Sequence, residues 1–305
     1  MQRFIVRRLI VSLLTLLVVS LVVFVMSRAT GDPRVLMLDD YATRDMWEAL
    51  GKDLGLDKPL VVQYGIFLKD AVRLEFGNSL VDGRPVMTLV WEKLPNTMQL
   101  AAAAFAFSFI LGVPLGVLSA VKRDSVFDSV GKVLALLGQS MPQFWLGIML
   151  MFFFAVKLGW VPPSGRYSWN SIILPAITLG WFGVAANMRL VRSAMLDALD
   201  SEYIKLARAK GLSSTVVIWK HALKNAMIPP LTFIGVTLGG LVTGSILAET
   251  VFAWPGLGLL AFTALRQSDY ALLQGIVLIF TVIFLITSLA VDILYAYIDP
   301  RIRFA

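Results

Sequence analysis

The 305-residue chain has no cysteine and one histidine, which excludes disulfides, thiolate metal ligands, a cysteine nucleophile and a multi-histidine metal centre within it. No GxxxxGK followed by Ser or Thr occurs, so nothing cradles a triphosphate as a P-loop does. No Ser, His and Asp arrangement stands out, and the lone His221 reads as structural, so no catalytic residue is assigned. Charged residues are scarce, 15% against 58% hydrophobic, a departure from soluble averages toward a polytopic membrane protein. The expectation is an all-α integral membrane protein, residues 1–305 forming one domain.

What is present is a series of long apolar runs. Spans are predicted at about 9–27, 98–121, 133–156, 171–188, 225–248 and 270–291. A cleaved signal peptide competes for the first, but nineteen uncharged residues from Leu9 to Ser27 exceed the usual signal core. Residues 28–97 carry nine Lys or Arg and eleven Asp or Glu, with short helices expected at Trp47–Leu50 and Val61–Val72. This loop suits an extracytoplasmic docking element or a connector packed over the bundle. With the N-terminus inside, the cytoplasmic pieces hold fifteen Lys or Arg, whereas the short outer loops hold Lys157, Arg166 and Arg266. That asymmetry puts both termini in the cytoplasm and explains the net charge of +7 without nucleic acid.

Three interruptions mark candidate sites inside this frame. Gly112-Val113-Pro114-Leu115-Gly116 offers close helix contact or a hinge. Ser140-Met141-Pro142 breaks the third run near its cytoplasmic end, where freed carbonyls need protein or water partners, so a cavity-lining site is expected there. In the fifth run Gly235, Gly239, Gly240 and Gly244 make one side narrow, for tight packing or a backbone-lined pathway; Gly240 and Gly244 are the pathway candidates. Glu249 at its end reads as interfacial rather than as a proton relay, and residues 250–265, broken by Trp254-Pro255-Gly256-Leu257-Gly258, as re-entrant or interfacial.

The most polar stretch between the fourth and fifth runs lies in a coupling loop, residues 193–224. Asp200 or Ser201 can cap a helix there, Gly211 can end it in the left-handed conformation, and Arg208 and Lys210 complement its dipole. Tyr203, Leu206 and Ala207 fall on one face, with Lys210 at its end, and the small Ala207 permits close approach of another surface. An amphipathic helix lying on the membrane surface has the same pattern.

Ala207-Arg208-Ala209-Lys210-Gly211 followed by His221-Ala222-Leu223-Lys224-Asn225-Ala226 resembles the cytoplasmic loop of permease subunits in bacterial ABC importers, in the dipeptide, oligopeptide, glutathione and nickel branch. Gly31-Asp32-Pro33, Leu54–Leu60, Trp254–Gly258, Asp269-Tyr270 and Asp299-Pro300-Arg301-Ile302-Arg303 resemble it too. The broader importer pattern has Glu-Ala-Ala where this chain has Lys205, Leu206 and Ala207, so only its last alanine is kept. The resemblance implies a type I importer permease with an ATPase-coupling helix formed by Glu202, Tyr203, Leu206, Ala207, Arg208, Ala209, Lys210 and Gly211, with His221 in the same motif. It further implies a second, related permease, two ATPase subunits that bind ATP and Mg, an external binding protein delivering a peptide or similar small solute, and the bacterial inner membrane. No cofactor or metal is expected in this chain. An ion-coupled half-size secondary transporter is the alternative, and a membrane-embedded enzyme a third reading. The six runs contain no ionisable residue, which speaks against the former, and show no convergent catalytic groups for the latter.

Overall fold

The computed structural model describes residues 2–29, 34, 38, 43–53 and 55–298. Gly31-Asp32-Pro33, Leu54 and the Asp299–Arg303 motif lie outside the described residues. Thirteen helices are labelled here: α1 Gln2–Ala29, α2 Arg44–Asp53, α3 Leu60–Val72, α4 Val86–Val121, α5 Val126–Ser140, α6 Gln143–Leu150, α7 Ile173–Leu199, α8 Glu202–Ala209, α9 Ser214–Val216, α10 Leu223–Ala226, α11 Ile228–Val251, α12 Leu257–Arg266 and α13 Tyr270–Ile298. Wider π-helical turns extend α6 over Met151–Lys157 and join α9 to α10 over Val217–Ala222. Among the described residues there is no β-strand, and one isolated bridge joins Asn78 to Pro85.

Among the described residues four helical stretches are long and apolar enough to cross a membrane: Ile5–Ala29, Val86–Val121, Trp169–Leu199 and Tyr270–Ile293. A fifth forms if α5 and α6 with its π-helical extension count as one broken span, bent by 109°. The 24 residues of α11 are long enough for a sixth at 1.5 Å per residue, whereas the ten of α12 are too short for a core of about 30 Å.

Several boundaries differ from the sequence reading for physical reasons. α4 starts at Val86, twelve residues before the apolar run, because its first turns bury Val86, Leu89 and Val90 against α12 and α13. It also continues through Pro114 without interruption. The third run divides at Ser140-Met141-Pro142: Pro142 caps the start of α6, and the chain turns sharply there rather than merely loosening.

The centre of the bundle is the packing of α4 on α7, which depends on missing side chains. A Cβ at Gly116 would stand 2.7 Å from the Met188 carbonyl oxygen, and one at Gly180 2.5 Å from that of Ala104. Close contact is therefore what Gly112 and Gly116 provide. Apolar clusters then form at the two ends of this pair. At one end, Val113, Val117 and Ala120 of α4 meet Val191 and Met195 of α7. At the other, Leu89 and Val90 meet Leu257 and Ala261 of α12 and Ile276 of α13. α1 is peripheral, packed on α13 and α3 and joined to α13 by an Arg8–Asp292 ion pair at 3.0 Å.

Candidate functional site

The polar stretch after α7 forms the expected short helix, α8. Ser201 occupies the N-cap position with extended backbone, but its hydroxyl turns back to the Ala198 carbonyl instead of capping. At the other end Gly211 has φ +79, its N–H donates to the Arg208 carbonyl at 2.9 Å, and the Leu212 N–H reaches the Ala207 carbonyl at 3.4 Å. These two bonds are the Schellman arrangement, which requires a left-handed residue where Gly211 stands. No atom lies within 4 Å of a Cβ built there, so glycine is needed for conformation and not for space.

The orientation of α8 corrects one expectation. Ile204 is fully buried and Ala207 is 8% exposed, both in the cluster with Val117, Met195 and Val217. The close approach permitted by Ala207 is thus made by the protein's own helices. Tyr203 and Leu206 face outward, 42% and 57% exposed, and Glu202, Lys205, Arg208, Ala209, Lys210 and Gly211 are exposed around them. Glu202 pairs with Lys205 at 2.7 Å on this surface. His221 sits half-buried near the end of the π-helical turn, one residue before the buried Ala222. α8 is an apolar-seated helix showing a basic outer face with two large side chains.

A second feature lies midway along the bundle, where a cavity of about 420 Å³ opens between α4, the α5–α6 break, α7 and α11. Of the residues named from the sequence, Met141, Gly240 and Gly244 line it. Ser140 and Pro142 do not: both are exposed, and the Ser140 hydroxyl bonds the Leu136 carbonyl of its own helix at 2.9 Å. The glycines of α11 divide by role. Gly239 is buried, and a Cβ there would strike the Phe284 ring at 2.6 Å, whereas Gly240 and Gly244 have no atom within 4 Å of a Cβ.

Two polar clusters were not legible in the sequence. Glu249 is fully buried, not interfacial. Its carboxylate accepts from Thr97 Oγ1 at 2.7 Å, Ser245 Oγ at 2.9 Å and the Leu259 N–H at 2.9 Å. The Leu257 N–H donates to Thr97 Oγ1, Trp254 Nε1 to the Asn96 carbonyl, and Asn96 Nδ2 to the Pro255 carbonyl. Trp254-Pro255-Gly256-Leu257-Gly258 is therefore a fixed turn folded onto Glu249. A Cβ at Gly256 would lie 2.5 Å from that carboxylate. At the α8 end, Asp128 is fully buried and accepts two bonds from Arg192, at 2.7 and 2.9 Å, one from Ser119, and an ion pair from Lys132 at 2.8 Å. This ties α5 to α4 and α7. Outside the apolar helices, the hydrogen-bonding Arg84 guanidinium beside Asp82 holds that carboxyl below the usual carboxylate range. Among the described residues no group of three or more His, Cys, Asp or Glu could hold a metal ion.

Helices of membrane-spanning length enclose a cavity whose described lining carries no charged residue, with an exposed helix after α7. The chain belongs to the binding-protein-dependent transport system inner membrane component family, whose pattern matches residues 112–304; the N-terminal pattern of the same kind of component matches residues 1–101. It is 39% identical over 327 residues to the dipeptide transport system permease protein DppB of Alkalihalophilus pseudofirmus, covering 98% of each chain. It is 38% identical over 305 residues to the glutathione transport system permease protein GsiC of Escherichia coli K12, covering all of both. Its fold is similar to a chain of the MetNI methionine ABC transporter in an inward-facing conformation: TM-score 0.59, 20% identity, 70% of this chain and 97% of that one. The chain is an ABC importer permease subunit of the inner membrane.

Proposed function

We propose that this subunit forms half of the translocation pathway of an ATP-driven importer for peptides or a similar small solute. The observation that carries the reading is α8: Ile204 and Ala207 seat it on the bundle while Tyr203, Leu206 and Lys210 are left for another protein. The full-length similarity to dipeptide and glutathione permeases supports both the importer class and the solute class. ATP and Mg belong to two separate ATPase subunits; their closure on ATP moves α8, and the bundle alternates between outward-facing and inward-facing states. This chain itself performs no catalysis. A related but distinct second permease completes the gate, and an external binding protein delivers the solute.

The charge asymmetry supports six spans with both termini and α8 in the cytoplasm and residues 28–97 outside. The α8 surface then faces the compartment that holds ATP. The test has two parts. Affinity purification of this chain should retain two ATPase subunits and one different permease, and in proteoliposomes the assembly should take up solute only with binding protein outside and ATP at the α8 face. Single cysteines, introduced into a chain that has none, should be labelled from outside at positions 45 and 166 but not at 213. External labelling at 213 in sealed cells contradicts the topology, and purification without an ATPase contradicts the role.

A further inference from the structure

α3 turns outward the face that a helix in water would turn inward. Gln63 is buried and Tyr64 and Phe67 are half-buried, whereas Val61, Val62, Ile66 and Val72 lie along the exposed side, Val61 at 83% and Val72 at 85%. Leu60 is exposed just before them. An amphipathic helix resting on a protein in water presents the reverse. Exposed charge is confined to the two ends of this edge, Asp57 and Lys58 before it and Lys69 and Arg73 towards its close.

The level of α3 against α1 is set by side-chain contacts. Tyr64 Oη lies 2.9 Å from Ser20 Oγ and 3.2 Å from the Leu17 carbonyl oxygen, and the rings of Tyr64 and Phe67 stand 5.4 and 5.6 Å from that of Phe24. The uncharged residues Leu9–Ser27 make about 29 Å of helix, close to a hydrocarbon core of about 30 Å. Ser20 lies about 12 Å along that helix from Arg28, well inside its apolar length. α3 is therefore one tyrosine side chain away from the hydrocarbon-level part of α1. Leu21 and Val25, which directly follow the contact residues Ser20 and Phe24, are themselves exposed beside it.

The turn entering α3 suits a setting short of water. Gln63 Nε2 donates to the Leu56 and Lys58 carbonyls at 3.3 and 2.8 Å, and the Pro59 carbonyl accepts from the Val62 and Gln63 N–H groups. Backbone carbonyls outside a helix need such partners where water is scarce.

We propose that α3 is an interfacial helix whose Leu60, Val61, Val62 and Ile66 edge is buried among lipid acyl chains, continuing the lipid-facing surface of α1. The leaflet is the one at the Arg28 end of α1, the outer one in the topology proposed above. Lipid fits because the edge carries no charged or hydrogen-bonding side chain and adjoins a helix that itself crosses the bilayer. Insertion by about 5–10 Å is the depth at which such helices lie, with the flanking charges at headgroup level. Residues 28–97 are then tied to the bilayer rather than held wholly in water.

The test uses the full importer complex, built with cysteine-free partner subunits and reconstituted in phospholipid vesicles without binding protein. Because this chain has no cysteine, Asp45→Cys, Val62→Cys, Ile66→Cys and Lys69→Cys each place a single nitroxide label. Elution on size exclusion confirms that each labelled chain is assembled. Power-saturation electron paramagnetic resonance then compares collisions with oxygen, which concentrates among acyl chains, and with a water-soluble nickel chelate. The oxygen-to-chelate ratio at 62 and 66 should exceed that at 45 severalfold, with 69 in between. A ratio at 62 and 66 equal to that at 45 would put the edge in water, free for a soluble partner such as the binding protein. Protection of both positions from both reagents would put it under the second permease. Either result overturns the proposal, and neither touches the importer reading.

Discussion

Two elements at opposite ends of the bundle, the Trp254–Gly258 turn and α8, are attached to it by different forces. At the Trp254–Gly258 end a buried carboxylate, two hydroxyls and backbone N–H groups lock a short turn in place through directional bonds that tolerate little displacement. At the α8 end the attachment is apolar, Ile204 and Ala207 pressed into the cluster around Met195. Apolar contact is non-directional and roughly proportional to area, so a helix held this way can shift with a partner before its seating is lost. The comparison teaches a division of labour: a rigid polar clamp where the turn keeps its shape, and an apolar seat that would let α8 receive motion if the proposed ATPase docks there.

The sharpest way to break the comparison is Glu249→Ala. It strips Thr97 and the Leu259 N–H of their acceptor at once, at about 1–3 kcal/mol for each donor left unpaired, while Ser245 keeps the Val242 carbonyl. The expected result is a large fall in the thermal midpoint of the purified complex and loss of uptake, with Glu249→Gln less severe because it keeps one acceptor oxygen and the volume. Next in size is Ile204→Ala, at about 2–5 kcal/mol for a truncated core side chain. Its loss should be local: protease nicking of residues 200–212 increases and ATPase association weakens, while Ile204→Val stays close to wild type. The smallest is Gly211→Val, which places a β-branched residue at φ +79 for about 1–3 kcal/mol of strain. Insertion and abundance should change little, and ATPase pull-down and uptake should fall together.

Local rules made much of this legible. The Gly211 stop, the helix start at Ser201, the short helices of residues 28–97 and the close packing at Gly112 and Gly116 all follow from turn chemistry or spacing within a few residues. What escaped depends on partners far apart in the chain. Glu249 meets Thr97 across 152 positions and Asp128 meets Arg192 across 64, and neither pair leaves a periodic trace. The inward face of α8 was missed for the same reason: spacing puts Tyr203, Leu206 and Ala207 near one another, but Ile204 and its cluster decide which edge turns in.

The central claim is that the outer face of α8 receives the ATPase. Tyr203→Ala with Leu206→Ala removes the two exposed anchors and leaves Ile204 and Ala207 seated. The measurement is the amount of ATPase retained when the doubly substituted chain is purified from membranes, normalised to the second permease recovered with it. The account predicts that retention drops about tenfold or more, the scale of losing interface anchors, with the second permease still bound. Full retention of the ATPase by that variant would contradict it.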